Sequence, residues 1–339
     1  MNLKDKSAQD RYFGELEDLI GTCRTVCICA HTGPDGDAIG SQLALAQVIR
    51  MHWPQVQVTS LLADNRDIPR TYRFLPYAAT LVRPEDYEET PDLFVCVDLS
   101  EPSRLADALP IMERARAVAV MDHHPCANAY GQVFYTRPDA AAVGVIVTEF
   151  AQFLHEELTP QVAQCLMCAV VTDTGRFQYQ NADGEALVIA STLVEAGASP
   201  SEISLNVYQS ASLEYLHLLA CVMGRITTFS HGRIASSYAT QADFERTGAR
   251  LDECDGLIDS VRMVDGEQVA VFIKEVEPGL VRGNLRSKLG HDISGVAKAM
   301  GGGGHAAAAG FSFEGTVDDA LQTVLPLLAQ VLDEGCPQQ

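Results

Sequence analysis

Short apolar segments alternate with helix-like segments along the first half of the chain. Four of them have the length, the β-branched residues and the cysteines typical of strands buried on both faces of a parallel sheet. They are TVCICA (25–30), VQVTSLL (56–62), LFVCVDL (93–99) and AVAVMD (117–122). Helical periodicity is present at 41–52, 142–158 and 160–171. This alternation predicts βαβ units and therefore an α/β fold with an N-terminal doubly wound parallel sheet.

The pattern changes after residue 184. Two helical stretches, 184–198 and 201–224, are separated by Ser199-Pro200 and predict a helical connector. Short alternating strands follow, with a turn at 277–279, and then a helix, a glycine loop and an amphipathic helix near 317–334. For a chain of 339 residues we therefore predict three parts. They are a catalytic domain over 1–185, the connector over 186–224 and a smaller α/β domain over 225–339.

Composition limits the partners and the compartment. The first twenty residues are too polar for a signal peptide, and no segment has the ~20 apolar residues of a membrane span. Ten cysteines in an unpaired pattern suit a reducing compartment, so we predict a cytoplasmic protein without membrane contact. The formal net charge of −21 opposes binding along nucleic acid, long duplexes included. A small anion can still bind beside metal ions and arginines.

The segment HTGPDGDAIGS (31–41) directly follows the first predicted strand. It holds His31, Asp35 and Asp37, and Pro34 and Gly36 shape the loop so that the two carboxylates can point in different directions. Loops at the carboxyl ends of strands are the ligand-binding positions of open α/β sheets. The alternative is a solvated turn whose aspartate caps the next helix.

Further acidic positions follow apolar segments in the same way. Asp98 ends the third predicted strand, and Asp122-His123-His124 ends the fourth. Adjacent side chains on an extended chain face opposite ways, so at most one of the two histidines is expected to bind a metal directly. Asp173, in VVTDTGRF, follows an apolar helix and precedes a glycine turn. Taken alone, Asp98 is also explained as a helix cap.

Together these segments supply a set of metal ligands. Its members are Asp35, Asp37, Asp98, Asp173, His31 and His123. Such a set suits two divalent cations that share one carboxylate. Mixed imidazole and carboxylate ligands favour manganese, with iron, cobalt or zinc as alternatives, over magnesium. Two such ions generate a hydroxide and stabilise the attacking and leaving oxygens at phosphorus, so we predict hydrolysis of a phosphate ester or anhydride.

A second constellation lies in the C-terminal part. Arg282, Arg286 and Lys288 in VRGNLRSK are cationic donors suited to phosphate. GGGGH (301–305) can present consecutive backbone N–H groups to an anion, with His305 beside them. It lacks the GK[ST] of a P-loop, so nucleoside triphosphate binding is not indicated. The alternative is a flexible glycine hinge.

In content and in order, these motifs resemble the DHH phosphoesterase superfamily, named for the triplet found here as Asp122-His123-His124. HTGPDGDAIGS, VDLS, MDHHP and TDTG are similar to its four N-terminal motifs. RGNLRSK…GGGGHAAAAGF is similar to its DHH-associated C-terminal domain. The resemblance covers the chain from about residue 25 to about residue 315. It is nearest to the NrnA-like branch of nanoRNases and 3′-phosphoadenosine 5′-phosphate (pAp) phosphatases.

The resemblance implies a role for each candidate residue. His31 and Asp35 would bind one manganese ion, and Asp37, His123 and Asp173 would bind the other. Asp98 would bridge the two ions, and His124 would stabilise the phosphate or the leaving oxygen, which makes these two the catalytic residues. The substrate would be held by Arg286, Ser287, Gly303, Gly304, His305 and, more weakly, Arg176.

The implied protein is a cytoplasmic phosphodiesterase or phosphatase with two Mn²⁺ per chain, acting on very short RNA oligonucleotides and pAp. A homodimer is a candidate assembly. One alternative is hydrolysis of cyclic di-AMP or its linear product. Another is a nucleotide-binding regulator without catalysis, which the complete ligand set disfavours. The first two activities use the same metal ligands, so the sequence leaves the choice between them open.

Overall fold

Five parallel strands form the sheet of the N-terminal unit. They are β1 (Thr25–Cys29), β2 (Gln57–Leu61), β3 (Leu93–Val97), β4 (Ala117–Asp122) and β5 (Val133–Thr136), and they lie in the order β2-β1-β3-β4-β5. The computed structural model describes residues 6–126, 128–251, 254, 256–288, 290–304 and 306–334. The first four strands agree with the predicted ones. The additional strand, β5, is a short edge strand in which only Val133 is buried, so it lacks the apolar run by which buried strands are recognised.

Helices cover both faces of this sheet. They are α1 (Lys6–Gly21), α2 (Gly36–His52), α3 (Leu109–Arg114), α4 (Val143–Phe153), α5 (Pro160–Asp173), α6 (Gly184–Glu195) and α7 (Pro200–Ile203). A π-helical turn, Ser204–Tyr208, follows α7. Apolar side chains of α1, α2, α4, α5 and α6 form the core on one face, and α3 with the 3₁₀ turn Pro102–Ala108 covers the other. The predicted doubly wound α/β sheet is therefore confirmed.

The C-terminal unit contains a six-stranded mixed sheet. Its strands are β6 (Thr227–Phe229), β7 (Ile234–Ala239), β8 (Val269–Glu277), β9 (Leu280–Ser287), β10 (Gly303–Gly304) and β11 (Ala308–Glu314), in the order β10-β11-β9-β8-β7-β6. Within this sheet, β7 and β8 are the only parallel neighbours among the described strands. The predicted turn between β8 and β9 is present, with Gly279 at a φ of 82°.

Two layers of helices enclose this second sheet. They are α8 (Leu213–Gly224), α9 (Gln241–Thr247), α10 (Leu257–Val261), α11 (Ser294–Ala299) and α12 (Val317–Glu334). Apolar side chains of α11 and α12 pack on one face, and those of α8 and α10 pack on the other. The predicted α/β character of this part is confirmed. Among the described helices, none combines the length and the apolar character that a membrane crossing requires.

The glycine-rich segment differs from the predicted loop. Gly303 and Gly304 form the edge strand β10, in register with Gly310 and Ala309 of β11. A Cβ at Gly302 would lie 2.0 Å from the carbonyl oxygen of Gly310, so the two backbones approach more closely than any side chain allows. The glycines thus permit strand pairing.

The chain divides into its two units between Ser210 and Ala211. The predicted connector contributes α6 and α7 to the first unit and α8 to the second. The division into three parts stays a prediction.

Candidate metal centre

The carboxyl ends of three neighbouring strands carry predicted metal ligands. His31 lies two residues beyond β1, Asp98 directly follows β3, and His123 directly follows β4. The strands are parallel and paired in register, so their ends meet at one edge of the sheet. β2 and β3 lie on opposite sides of β1, which makes this edge a switch point of the kind at which open α/β sheets bind ligands.

Asp35 and Asp37 are placed by the start of α2. Asp35 is the N-cap residue of this helix, and its Oδ1 accepts a hydrogen bond of 3.0 Å from the Ala38 amide. Buried Asp37 accepts hydrogen bonds from the amides of Val143 and Gly144 at 2.7 and 3.0 Å. Those amides begin α4, so the carboxylate of Asp37 lies at the positive ends of two helices.

Asp173, the last residue of α5, reaches the same edge because α5 packs very closely on α2. A Cβ at Gly36 would lie 2.4 Å from Thr172 Oγ1. A Cβ at Gly40 would lie 2.4 Å from the carbonyl oxygen of Cys165. Glycine at these two positions therefore permits the helix contact that brings the carboxylate of Asp173 to the strands.

Asp98 lies at the centre of the cluster. Its φ of 55° is a left-handed conformation that costs energy for a residue other than glycine, and it is only 2% exposed. Its Oδ2 lies 3.4 Å from His31 Nε2, and its Oδ1 lies 3.6 Å from His123 Nε2 and 3.3 Å from His124 Nδ1. No described residue donates a hydrogen bond to this Oδ1. A buried carboxylate oxygen among imidazoles, with no hydrogen bond, is suited to a cation.

Three overlapping groups of side chains have ligand atoms within 4.8 Å of one another. They are His31 with Asp35 and Asp98, Asp37 with His123 and Asp173, and Asp98 with His123 and His124. The structure thus brings together all six residues that the resemblance assigns to metal ions. Asp98 is shared by the first and third groups and His123 by the second and third, so the three groups form one continuous cluster.

Backbone carbonyl groups orient the two histidines that are predicted to bind metal. The Nδ1 of His31 lies 3.0 Å from the Thr32 carbonyl oxygen, and the Nδ1 of His123 lies 3.2 Å from the Ala140 carbonyl oxygen. A carbonyl oxygen can only accept, so each Nδ1 is the protonated donor. In the neutral ring each Nε2 then carries the lone pair, on the side that faces the carboxylates, which is the usual arrangement of metal-binding histidines.

The electrostatics of the cluster show a shortage of positive charge. Burial and the neighbouring Asp98 raise the pKa of Asp37 to about 7, and burial and Asp37 raise the pKa of Asp173 well above its usual value. Burial also opposes ionisation of Asp98, but His124 and His31 outweigh it and lower the pKa of that carboxyl. Carboxylates this close together cannot all ionise without added cations. The residues therefore fit a pair of divalent ions.

Asp122 has a role that sequence reasoning did not assign. It is fully buried, and its Oδ1 accepts hydrogen bonds from the amides of His123 and His124 at 2.7 and 3.1 Å. The same oxygen lies 2.8 Å from His124 Nδ1. One carboxylate oxygen thus fixes both the turn and the imidazole of His124. An aspartate followed by a turn is the signal that could have indicated this.

The predicted substrate residues lie mostly on the C-terminal unit. The half-buried side chain of Arg286 donates a hydrogen bond of 3.0 Å from Nη1 to the backbone carbonyl oxygen of Leu285. Ser287 is buried, and no described residue forms a hydrogen bond with its hydroxyl. Gly303 and Gly304 form β10, and His305 lies outside the described residues.

Arg176 lies on the N-terminal unit, in the turn after Asp173. It is exposed, with a φ of 62°, and its guanidinium carbon lies 4.6 Å from the centre of the Tyr208 ring. A cation–π contact of this kind holds the side chain in place while leaving its donors available.

Comparison with known proteins identifies the family. Residues 25–170 match the DHH family, N-terminal domain, and residues 233–334 match the DHHA1 domain. A protein of Streptococcus mutans, named a probable bifunctional oligoribonuclease and PAP phosphatase NrnA, is 30% identical to this chain. The alignment covers 84% of this chain and 88% of that protein. The chain belongs to the DHH family. A further relative is the bifunctional oligoribonuclease and PAP phosphatase NrnA of Thermus thermophilus, which is 29% identical to this chain. That alignment covers 91% of this chain and 90% of the relative.

A solved structure supports the fold of this DHH protein. An exopolyphosphatase-related protein from Bacteroides fragilis superposes with a TM-score of 0.88 at 20% identity and covers 98% of each chain. The predicted family and fold class are therefore confirmed. So is the predicted enzyme class, a hydrolase acting on phosphate esters. DHH proteins are metal-dependent, and the aspartates and histidines of this chain can form such a metal site.

Proposed function

We propose that this DHH protein is a manganese-dependent phosphoesterase that hydrolyses very short RNA oligonucleotides and pAp. The observation that carries the proposal is the buried Oδ1 of Asp98, which lies among imidazoles and has no hydrogen bond from a described residue. It lies where two groups of potential metal ligands overlap. The substrate class is supported by the relatives from Streptococcus mutans and Thermus thermophilus, which are named oligoribonucleases and PAP phosphatases.

The ligand set decides which residues would hold the metals. His31, Asp35 and Asp98 would hold one ion, and Asp37, His123 and Asp173 would hold the other. Asp98 is proposed to bridge the two ions, since its Oδ1 lies 3.6 Å from His123 Nε2. Mixed imidazole and carboxylate ligands favour manganese over magnesium. When two such ions are bound, they supply a hydroxide nucleophile and balance the charge that develops at phosphorus.

His124 is proposed to act on the substrate rather than on a metal. Its Nδ1 donates to Asp122 Oδ1 at 2.8 Å, which fixes the ring. Burial opposes protonation of His124, but Asp122 and Asp98 outweigh it and raise the pKa of the imidazole to about 11. Both ring nitrogens then carry protons, and Nε2 is proposed to donate a hydrogen bond to the phosphate or to the leaving oxygen. Arg286, Ser287, Gly303, Gly304 and His305 are proposed to hold other phosphates of the substrate, and Arg176 to contribute a further contact.

The preference for short substrates follows from charge. The chain carries a formal net charge of −21, so the part of a long RNA that extends beyond the centre is repelled. A dinucleotide or pAp places few phosphates outside the metal centre, and the two cations can neutralise those inside it. We therefore expect activity to decrease with chain length, more steeply at low salt.

A substrate panel tests the proposal. The protein loaded with Mn²⁺ is incubated with RNA of two to about five nucleotides, RNA of roughly 20 nucleotides, pAp and cyclic di-AMP, and the products are resolved over time. We expect rapid cleavage of short RNA and pAp, slow cleavage of the long RNA, and no turnover by Asp98→Asn. Processive degradation of the long RNA would contradict the proposal.

Cyclic di-AMP hydrolysis is the alternative within the same chemistry. This cyclic molecule has no free end and must fit the centre as a closed ring, so we expect slower turnover than for the linear dinucleotide. Rapid turnover of cyclic di-AMP with no hydrolysis of pAp would make it the favoured function.

A further inference from the structure

The amide side chain of Asn181 joins two segments of the N-terminal unit that are remote in sequence. Its Nδ2 donates a hydrogen bond of 3.0 Å to the carbonyl oxygen of Ala141 and one of 3.1 Å to the carbonyl oxygen of Asp173. Ala141 lies in the loop between β5 and α4, and Asp173 ends α5. Since a carbonyl oxygen can only accept, the NH₂ group of the amide must face both of them. These two contacts therefore fix the orientation of the side chain.

The loop that Asn181 holds also orients two predicted metal ligands. Ala140, the residue before Ala141, presents its carbonyl oxygen to Nδ1 of His123 at 3.2 Å. At the other end of the loop, the first two amides of α4 donate hydrogen bonds of 2.7 and 3.0 Å to the carboxylate of Asp37. A displacement of this loop would consequently move both side chains.

Asn181 is thus connected to every member of one ligand group. Asp37, His123 and Asp173 have ligand atoms within 4.8 Å of one another. Asp173 is held through its own carbonyl oxygen, and the other two are held through the loop. One amide side chain therefore links the three backbone segments on which the geometry of this group depends.

The other ligand group is positioned by different contacts. Nδ1 of His31 lies 3.0 Å from the carbonyl oxygen of its neighbour Thr32, and Asp35 caps its own helix, α2. The amide of Asp98 donates a hydrogen bond of 3.1 Å to the carbonyl oxygen of Met121 in the adjacent strand. These contacts are local or lie within the sheet. A change at position 181 should therefore affect the two groups unequally.

The surroundings of Asn181 indicate a role beyond packing. Its backbone is held at the start of α6, where its carbonyl oxygen accepts a hydrogen bond of 2.8 Å from the amide of Asp183. Its Oδ1 is buried, and no described residue donates a hydrogen bond to it. A buried oxygen without a hydrogen bond costs stability, so stability alone does not account for an amide at this position.

We propose that Asn181 is a positioning residue that sets the geometry of Asp37, His123 and Asp173 and thereby the affinity of the chain for one of its two divalent ions. The inference rests on the two-ion assignment of the proposed function. Hydrogen bonds that orient metal ligands control affinity in this way, and their loss weakens metal binding by about 10–100-fold.

Metal binding to Asn181→Ala and Asn181→Leu tests the proposal. The full-length proteins are loaded with Mn²⁺ and dialysed against buffers of decreasing free Mn²⁺, and the bound metal is counted by atomic absorption. Leucine keeps the side-chain volume without the donors, which separates the hydrogen bonds from packing. We expect both variants to bind one ion as the wild type does and the other about tenfold or more weakly.

The matched control is Asn206→Ala. The Nδ2 of Asn206 donates a hydrogen bond of 2.9 Å to the carbonyl oxygen of Glu202, four residues earlier. This variant also removes an asparagine amide from the N-terminal unit, but it should bind both ions as the wild type does.

Turnover of pAp gives a second readout. At low Mn²⁺ the kcat of both Asn181 variants should fall, and excess Mn²⁺ should restore it with the KM for pAp little changed, because mass action refills the weakened site. A merely structural role predicts instead that both ions are weakened alike and that excess Mn²⁺ does not restore kcat.

Three results would overturn the inference. The first is an affinity for both ions that is equal in the wild type and in the two Asn181 variants. The second is an equal weakening of both ions. The third is a wild type that binds a single ion, which would remove the two-ion assignment as well. The dialysis uses no substrate, so a protein that binds two ions but hydrolyses neither RNA nor pAp would contradict the proposed function alone.

Discussion

Gly40 of α2 lies directly against the carbonyl oxygen of Cys165 in α5, and a Cβ at position 40 would stand 2.4 Å from that oxygen. Gly40 lies about one helical turn after Asp37, and Cys165 lies about two turns before Asp173, so the contact governs how closely the two helices pack beside these carboxylates. α2 begins next to Asp35 and Asp37, and α5 ends at Asp173. The distance between the helices therefore helps to set the distance between the carboxylates.

Gly40→Ala should weaken both the fold and the metal centre. The added methyl group must push α5 away from α2, and overpacking of this kind costs about 1–3 kcal/mol of unfolding free energy. We expect Tm to fall by roughly 2–10 °C and Mn²⁺ affinity to fall as Asp173 moves away. Thermal melts and metal titrations measure these effects.

The matched control is Gly14→Ala in α1, where a new Cβ would meet no atom within 4 Å. Alanine is the better helix former, so this variant should gain up to about 1 kcal/mol of stability and retain full metal affinity. Equal Tm values for Gly40→Ala and the wild type would show that the helix contact is not tight.

His123→Ala and Asp98→Asn should abolish hydrolysis with the fold retained. Each removes a metal ligand rather than core volume, so far-ultraviolet circular dichroism should be unchanged while bound metal and kcat fall. Manganese should reactivate metal-stripped wild type far better than calcium or magnesium. His217→Ala, on the exposed side of α8, is the control and should remain active. Full activity of the wild type in a chelator would refute the two-metal assignment.

Arg286→Ala should raise KM and leave the metals in place. A lost charge-assisted phosphate contact is worth roughly 1.5–3 kcal/mol, so a rise of about tenfold or more in the KM for pAp is expected. Metal content is measured beside the steady-state rates, with Arg246→Ala as the control. Loss of metal from Arg286→Ala would mean that this residue supports the metal centre instead.

Asp243 should stabilise the C-terminal unit in a pH-dependent manner. It is 2% exposed and accepts hydrogen bonds from Arg225 Nη2 at 2.8 Å and Arg246 Nη2 at 2.7 Å, and the Arg225 contact lowers its pKa. A lowered folded-state pKa means that the stabilisation is present above the unfolded value of about 3.9 and is lost as pH falls toward the folded value.

Asp243→Asn should therefore cost about 3 kcal/mol at pH 7 and clearly less as the pH falls below about 4. Denaturant melts of both proteins across this range measure the difference. Asp333→Asn breaks the pair with Arg233, in which Asp333 is 68% exposed, and should cost less than about 1 kcal/mol at any pH. A difference for Asp243→Asn that stays constant with pH would contradict the assignment.

The periodicity of the sequence determined the α/β class because a strand buried on both faces must be apolar throughout, as β1 and β3 are. It also placed His31, Asp98 and His123 at strand ends, since a parallel sheet aligns those ends. β5 was not predicted, because an edge strand buries only part of its side chains and therefore lacks a continuous apolar segment.

Tertiary structure decided what depends on distance between segments remote in sequence. The carbonyl of Ala140 that orients His123 and the helix contact at Gly40 have no signature in local composition. The position of Asp98 beside His31, His123 and His124 follows from sheet order and a left-handed turn. Residue types and their periods determine which chemistry a chain can perform and which faces it buries. Register, helix packing and backbone conformation decide which of those groups meet, because these depend on contacts that only the folded chain makes.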